Sequence, residues 1–129
     1  MRFLLDTHAF IWFTNGDKQL SEKAREVIEP IERSEVFFSV ASLWEIAIKV
    51  NVGKLFLNKE YSTIISELQI NNFELLPIKF EHTLIVSSLP LHHRDPFDRI
   101  LIAQAQEENL TIITKDKNFS LYKNIKLLW

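Results

Sequence analysis

The sequence contains no cysteine and only two glycines, Gly16 and Gly53. Without cysteine the chain can form neither a disulfide nor a thiolate metal site, so nothing in it requires an oxidising compartment. No apolar run approaches the length of a membrane span, and no linker or repeat divides the 129 residues. The N-terminal stretch MRFLLDTHAFIWF carries Asp6 and His8 and lacks a basic leader, so we do not interpret it as a signal peptide. We expect a single domain, residues 1–129, in the cytoplasm.

The composition is that of a globular domain, with 47% hydrophobic and 25% charged residues. A chain of this length can bury a sizeable core. The net charge of -2 argues against a protein that coats nucleic acid by bulk attraction. Local phosphate binding stays open, because a bound divalent cation would reverse the sign of an acidic pocket.

Apolar segments rich in β-formers alternate with helical patterns along the chain. Five segments predict strands: RFLLD (2–6), VFFSV (36–40), FELLPI (73–78), TIIT (111–114) and IKLLW (125–129). Between them, helices are predicted over 21–33 with Ser21 as N-cap and Pro30 bending or ending it, over 42–53 from Ser42 to a stop at Gly53, and over 61–72, 80–89 and 96–109. This alternation indicates a mostly parallel sheet covered by helices, in which ligands bind beyond the carboxyl ends of the strands.

Acidic residues fall where such a site would lie. Asp6 ends the first strand, Asp116 follows TIIT, and Glu45 lies in the first turn of the helix after VFFSV. Asp98 opens the helix that leads to TIIT, which is suggestive but does not fix its end of the sheet. Carboxylates gathered at one edge repel each other unless they are protonated or bridged by cations, and oxygen-rich sites suit Mg²⁺ or Mn²⁺. Metal-assisted hydrolysis of a phosphodiester is the chemistry that these residues most readily support.

Most of these acids also have a structural interpretation. Ser42-x-x-Glu45 matches a capping box, and Asp95-Pro96 matches an N-cap followed by proline, with Asp98 near the helix N-terminus. Asp116 could form a turn. Asp6 is harder to explain this way, because an apolar strand delivers it directly into an apolar helix.

Two other classes of protein need an acidic residue at a position where this chain has none. A haloacid dehalogenase-like phosphatase needs a second aspartate two residues after the nucleophile, but His8 occupies that position. A phosphoaspartate receiver needs an acid at the end of the central strand, and VFFSV (36–40) ends without one. A non-catalytic α/β binding module, whose acids only cap helices, stays open.

Four ordered motifs carry a family likeness that spans essentially the whole chain. LLDTHAFIW, SLWEIAIK, DPFDRILIAQA and ITKDKNF, in this order, closely resemble the PIN-domain ribonucleases, specifically VapC-like toxins of bacterial type II toxin–antitoxin systems. The resemblance implies an α/β fold, a three-layer α/β/α sandwich with a central, mostly parallel sheet of about five strands. It also implies an endoribonuclease that uses Mg²⁺ or Mn²⁺, forms a homodimer and is inhibited by a VapB-like antitoxin.

Carried over by motif, the resemblance makes Asp6, Glu45, Asp98 and Asp116 the four catalytic, metal-binding acids. Asp98 is chosen over Asp95 because it directly precedes the ILIAQA run. Thr7 and Thr114 are expected to support the site.

One position departs from the family pattern. Many members carry a further acid two residues after the fourth, where this chain has Asn118. A second metal is therefore expected to bind weakly or only with substrate, and Asp95 is hypothesised to compensate in part.

The remaining candidates are basic and aromatic residues near the motifs. Arg94, Arg99 and Lys115, with Lys49 and Lys117, are candidates for binding RNA phosphates, with ordinary surface charge as the alternative. His8 is expected either to contact phosphate or to pack. His92 and His93 are expected in a loop at the rim of the site, because adjacent side chains in a loop rarely converge on one ion. Aromatic side chains are expected in the core or on a partner surface: Phe10, Trp12, Phe13 and Trp44. The class of RNA stays undetermined.

Overall fold

Five parallel strands form the centre of the protein in a computed structural model, which describes residues 1–30 and 35–129. The strands are β1 Arg2–Leu5, β2 Glu35–Ser39, β3 Phe73–Leu76, β4 Thr111–Ile113 and β5 Lys126–Leu128. Their order across the sheet is β3-β2-β1-β4-β5, and every neighbouring pair is parallel. The predicted parallel sheet is confirmed.

Six α-helices connect and cover these strands in the described part of the chain. They are α1 Thr7–Asn15, α2 Glu22–Ile28, α3 Val40–Asn51, α4 Ile64–Ile70, α5 Phe80–Val86 and α6 Pro96–Glu108. Two short 3₁₀ helices span Tyr61–Thr63 and Lys117–Leu121. None of the described helices is long and apolar enough to cross a bilayer.

The two faces of the sheet bury separate hydrophobic cores. Because successive side chains of a strand point to opposite faces, Phe3 and Leu5 of β1 pack with residues of α1, α2 and α4, whereas Leu4 packs with residues of α6. Phe37 of β2 lies on the same face as Leu4, and Phe38 on the other. Helices therefore cover both faces, which confirms the three-layer α/β/α sandwich.

Local sequence signals correctly predicted the residues that cap two of the helices. Ser21 caps α2, since its Oγ accepts a hydrogen bond from the Ala24 N–H at 3.0 Å. The helix ends at Ile28, before Pro30, and the predicted extension over 31–33 lies outside the described residues. Asp95 caps α6, because its Oδ1 accepts from the N–H groups of Phe97 and Asp98 at 2.9 and 3.2 Å.

The predicted start of α3 at Ser42 is wrong. The helix begins at Val40, and its N-cap is Ser39, whose Oγ accepts a hydrogen bond from the Ala41 N–H at 3.0 Å. Ser42 therefore lies inside the helix, and no capping box joins it to Glu45. Two serines three residues apart both match an N-cap, and the end of β2 at Ser39 selects the first.

The topology brings the starts of three helices to one edge of the sheet. Helices α1 and α3 begin directly after β1 and β2. Helix α6 precedes β4 and runs antiparallel to it, so it begins at the carboxyl edge of the sheet. Asp98 must lie at this edge if it is to join the other acids. After β3 the chain crosses to the other side of β1 to form β4, so the strand order reverses between β1 and β4, which is where ligands bind in open α/β sheets.

Candidate metal centre

A cleft of about 300 Å³ opens at the carboxyl edge of the sheet. Its lining contains all four predicted acids together with Asp95, two lysines, one histidine and one tryptophan: Asp6, Glu45, Asp95, Asp98, Asp116, Lys49, Lys115, His8 and Trp12. The structure thus gathers acids that lie up to 110 residues apart in the chain, from Asp6 to Asp116.

Asp6 is held between β1 and β4. Its N–H donates to the Ile113 carbonyl at 3.0 Å, and its Oδ2 accepts a hydrogen bond from Thr114 Oγ1 at 2.8 Å. Thr114 Oγ1 in turn accepts from the Asp116 N–H at 3.0 Å, so one hydroxyl connects two of the acids. Burial raises the pKa of Asp6 to about 6, although the hydrogen bond from Thr114 acts in the opposite direction.

Glu45 is buried on α3 and bonded on both oxygens. Thr7 Oγ1 donates to Oε1 at 2.7 Å and lies 2.8 Å from Ser42 Oγ. Because Thr7 has a single hydroxyl proton and the carboxylate can only accept, Ser42 supplies the proton of the second contact. The Lys49 ammonium lies 2.8 Å from Oε2. Ser42 therefore supports the site through Thr7, whereas the sequence predicted only that it caps the helix.

Lys49 is a cation of the acidic cleft that already pairs with one of its acids, Glu45. Partial burial alone would lower its pKa, but the hydrogen bond to Glu45 and the charges of Glu45, Asp95 and Asp98 raise it. Lys49 thus stays charged, and the cleft attracts cations.

The charges of the other acids act on the pKa of Asp98. Burial, followed by the charges of Asp95, Asp6, Asp116 and Glu45, raises its pKa to about 8. Asp98 therefore lies close enough to the other four carboxylates for their charges to act on it.

His93 contacts Asp98, so the expectation that both histidines lie at the rim is wrong for His93. Its Nε2 lies 3.2 Å from Asp98 Oδ2, and its side chain is only 12% exposed. His92 is exposed, as expected. In the sequence, His93 lies five residues before Asp98, on the other side of a helix N-terminus. This spacing by itself does not show that the two side chains are in contact.

The aspartates share a pattern that suits cation binding. In each, one oxygen accepts a hydrogen bond from the protein: Asp6 from Thr114, Asp95 from two backbone N–H groups, Asp98 from His93, and Asp116 from the Asn118 N–H at 2.9 Å. Within residues 1–30 and 35–129, the second oxygens of Asp95, Asp98 and Asp116 have no hydrogen-bond donor. Asp116 also caps the 3₁₀ helix that follows it, so its structural and site interpretations are compatible.

The donor set of the cleft fits a hard divalent cation. Carboxylate oxygens are the ligands that Mg²⁺ and Mn²⁺ prefer, and after burial the charges of the neighbouring carboxylates raise the pKa of Asp98, so a bound cation would offset this repulsion. Over the described residues, no group of three or more acidic or histidine side chains has the mutual arrangement of a formed metal site. The fit therefore rests on the chemistry of the donors.

The basic candidates separate clearly. Lys115 and Lys49 line the cleft, whereas Arg94 and Lys117 are exposed and do not. The prediction that Arg99 binds an RNA phosphate is wrong. Arg99 is buried, and its guanidinium donates to the carbonyls of Leu89 and Pro90 at 3.0 and 2.7 Å, which leaves it unsuited to a phosphate.

The aromatic candidates also divide. Phe10 belongs to the core, as expected, and Phe13 is half-buried against it. Trp44 is 61% exposed beside Phe97, which is compatible with a partner surface. Trp12 lines the cleft, with Lys115 Nζ 5.9 Å from its ring centre.

Fold and site together define an α/β protein with a carboxylate cluster at the topological switch point of a parallel sheet. The model of the PIN domain matches residues 3–125, and the chain belongs to the PIN domain family. The predicted family is confirmed.

Similar folds occur in solved structures that cover almost the whole chain. A chain in the structure of VapBC2 from Rickettsia felis bound to a promoter DNA fragment is 18% identical, with a TM-score of 0.73, and covers 99% of this chain and 98% of that one. FitAcB from Neisseria gonorrhoeae is 18% identical, with a TM-score of 0.69 and coverage of 100% and 97%. VapBC-5 from Mycobacterium tuberculosis is 19% identical, with a TM-score of 0.63 and coverage of 98% and 97%. No curated protein shows significant similarity to the chain. At these identities the structural likeness establishes the fold.

Proposed function

We propose that this PIN domain is a metal-dependent endoribonuclease and the toxin of a type II toxin–antitoxin pair. One observation carries the proposal: five carboxylates and only two ammonium groups line a single cleft at the carboxyl edge of the sheet. Membership of the PIN domain family supports it, since PIN domains are generally dependent on divalent metals.

In this proposal Asp6, Glu45, Asp98 and Asp116 hold Mg²⁺ or Mn²⁺. When bound, the metal would supply positive charge that orients a water molecule and offsets the charge developing on the phosphodiester. The oxygen of water replaces the leaving ribose oxygen at phosphorus, and one phosphodiester bond is hydrolysed.

The other residues of the cleft hold the acids and the substrate. Thr114 and Thr7 fix the side chains of Asp6 and Glu45 by hydrogen bonds of 2.8 and 2.7 Å. Lys115 and the exposed His8 stand at the same cleft and would contact RNA phosphates. A cytoplasmic location follows from this substrate.

We further propose two protein partners, a second copy of the chain and a VapB-like antitoxin. Several of the structures with similar folds are of VapBC or of toxin–antitoxin complexes.

The chain exposes apolar side chains around a groove lined by Trp44, Phe97 and Ile78. An unpaired apolar area of this kind suits a protein interface. A purified chain that stays monomeric at micromolar concentration in light scattering would contradict the homodimer.

The decisive experiment compares the wild type with Asp6→Asn, which keeps the size of the side chain and one oxygen that can accept from Thr114 but removes the charge. Purified proteins are incubated with total RNA and Mn²⁺, and the new RNA ends are mapped. We expect cleavage by the wild type, its loss with EDTA, and a rate at least about 100-fold lower in the variant, because a metal supplies several kcal/mol of transition-state stabilisation.

Glu107→Gln is the matched control, since Glu107 is an exposed acid of α6 outside the cleft. It should cleave like the wild type. Identical RNA ends with wild type, Asp6→Asn and no protein would reject the nuclease and favour a non-catalytic binding module.

A further inference from the structure

A chain of side-chain hydrogen bonds leads from the protein interior to Asp98. Arg99 Nη1 lies 2.9 Å from the Tyr122 hydroxyl, this hydroxyl lies 2.8 Å from His93 Nδ1, and His93 Nε2 lies 3.2 Å from Asp98 Oδ2. Arg99 and Tyr122 are buried, and neither belongs to the lining of the acidic cleft. The chain of hydrogen bonds therefore connects the cleft with groups that do not line it.

The donors in this chain can be assigned. A guanidinium only donates, so the Tyr122 oxygen accepts from Arg99. It also receives the His93 N–H at 3.4 Å. The single hydroxyl proton of Tyr122 then goes to the nearest acceptor, His93 Nδ1 at 2.8 Å, rather than to the His93 carbonyl at 3.4 Å. With Nδ1 accepting, the neutral imidazole carries its proton on Nε2 and donates it to Asp98.

Arg99 gives this chain a rigid base. Its guanidinium also donates to the carbonyls of Leu89, Pro90 and His93 at 3.0, 2.7 and 3.4 Å. These bonds tie the loop before α6 to the helix, and Tyr122 ties both to the segment after the second 3₁₀ helix. His93 is thus held at its backbone and at its ring.

The arrangement selects one oxygen of Asp98. Oδ2 accepts from His93, while Oδ1 has no hydrogen-bond donor among the described residues. A carboxylate held by one oxygen presents the other in a defined direction, as partners behind metal ligands generally do.

We propose that His93, fixed by Tyr122 and Arg99, is the positioning residue that orients Asp98 toward the divalent cation. The inference rests on the proposed function, because it assigns Asp98 to the metal. It predicts that removing the imidazole weakens metal binding without removing any metal ligand.

Mn²⁺ binding, measured by electron paramagnetic resonance of the free ion, tests this inference without depending on catalysis. His93→Phe keeps an aromatic ring and removes both nitrogens, and we expect Mn²⁺ affinity about 10- to 100-fold lower. His93→Gln can place an amide donor near Asp98 and should recover part of that loss. Tyr122→Phe removes only the hydroxyl and should weaken binding less than His93→Phe does.

His92→Gln is the matched control. His92 packs edge-on against Tyr122, with ring centres 4.9 Å apart, but has no hydrogen bond within the described residues. It should bind Mn²⁺ like the wild type. Equal losses in His92→Gln and His93→Phe would reduce the effect to general loosening of the loop and overturn the proposal.

The outcomes separate this inference from the proposed function. If the wild type binds Mn²⁺, Asp6→Asn does not, and His93→Phe binds within twofold of the wild type, the positioning role is wrong and the metal site stands. If the wild type binds no Mn²⁺, the proposed function fails and the inference fails with it.

A second measurement does not depend on whether the variants fold. Nitrogen-15 NMR of the wild type with Mg²⁺ should show His93 protonated on Nε2 and not on Nδ1. The opposite tautomer would overturn the assignment of donors.

Discussion

Asp98 shows at the scale of one residue how a site and a fold compete. Its pKa in the folded chain, about 8, lies far above the 3.8 of an ordinary aspartate. A carboxyl group whose pKa is raised on folding stabilises the fold fully below its unfolded pKa. This contribution is lost as pH rises through the folded pKa, because the folded state must then hold an unfavourable charge. The relevant window therefore runs from about pH 4 to pH 8.

Asp98→Asn should stabilise the metal-free protein at pH 8. The amide removes the charge that burial and four neighbouring carboxylates oppose, and it keeps an oxygen that can accept from His93. We expect a melting temperature higher by about 3–5 °C, on the order of 1 kcal/mol, by calorimetry with EDTA. The difference should shrink toward pH 4.

Glu107→Gln serves again as the control, because this exposed acid lies outside the cleft. It should change the melting temperature little at either pH. If Asp98→Asn melts at or below the wild-type temperature at pH 8, the charged Asp98 carboxylate does not destabilise the fold, and the prediction is wrong.

Helix α6 shows at the scale of an element how one acid serves structure and site. Asp95 caps the helix with Oδ1, and its charge is the largest charge contribution to the raised pKa of Asp98. The local signal Asp95-Pro96 predicted the cap, and the structure adds that the side chain lines the cleft. Whether it also compensates for Asn118 stays a prediction.

Two substitutions separate these roles. Asp95→Asn keeps a good N-cap, so the free energy of unfolding should change by less than about 0.5 kcal/mol, whereas Asp95→Ala should cost about 1 kcal/mol. If Asp95 takes part in the site, both should weaken Mn²⁺ affinity several-fold. Unchanged affinity and unchanged cleavage in Asp95→Asn would limit Asp95 to capping.

The acidic cleft is a property of the whole molecule, since the residue after β1, helices α3 and α6, and the segment after β4 each supply an acid. No single element carries enough charge to attract a divalent ion strongly. Bringing them together concentrates the charge, and metal binding should therefore stabilise the complete fold.

Mn²⁺ should raise the melting temperature more at pH 8 than at pH 6. At 100 times its dissociation constant, a ligand adds about 2.7 kcal/mol, which corresponds to roughly 10 °C for a chain of this size. At pH 6 a proton must first leave Asp98, whose pKa is about 8, and about half of Asp6 is also protonated. Affinity should therefore fall by about tenfold per pH unit for each proton displaced.

Sodium chloride at matched ionic strength is the control and should produce no such shift. Equal stabilisation by Mn²⁺ at both pH values would show that these carboxylates do not bind the ion.

The sequence by itself determined the strands, the starts of α2, α5 and α6, and the four acids of the cleft. These features depend on local patterns and on one rule of parallel sheets, that the carboxyl ends of neighbouring strands meet at one edge. Asp6 could be assigned in this way because it directly follows β1. The start of α3 could not, because Ser39 and Ser42 carry the same local signal.

Only the tertiary structure decided which polar side chains support the acids. Arg99 looks like a surface cation in the sequence, but a hydroxyl 23 residues away at Tyr122 and carbonyls 9 and 10 residues before it take up its donors. His93 contacts Asp98 for the same reason. Most buried donors and acceptors find a partner, and the identity of that partner depends on packing between distant segments.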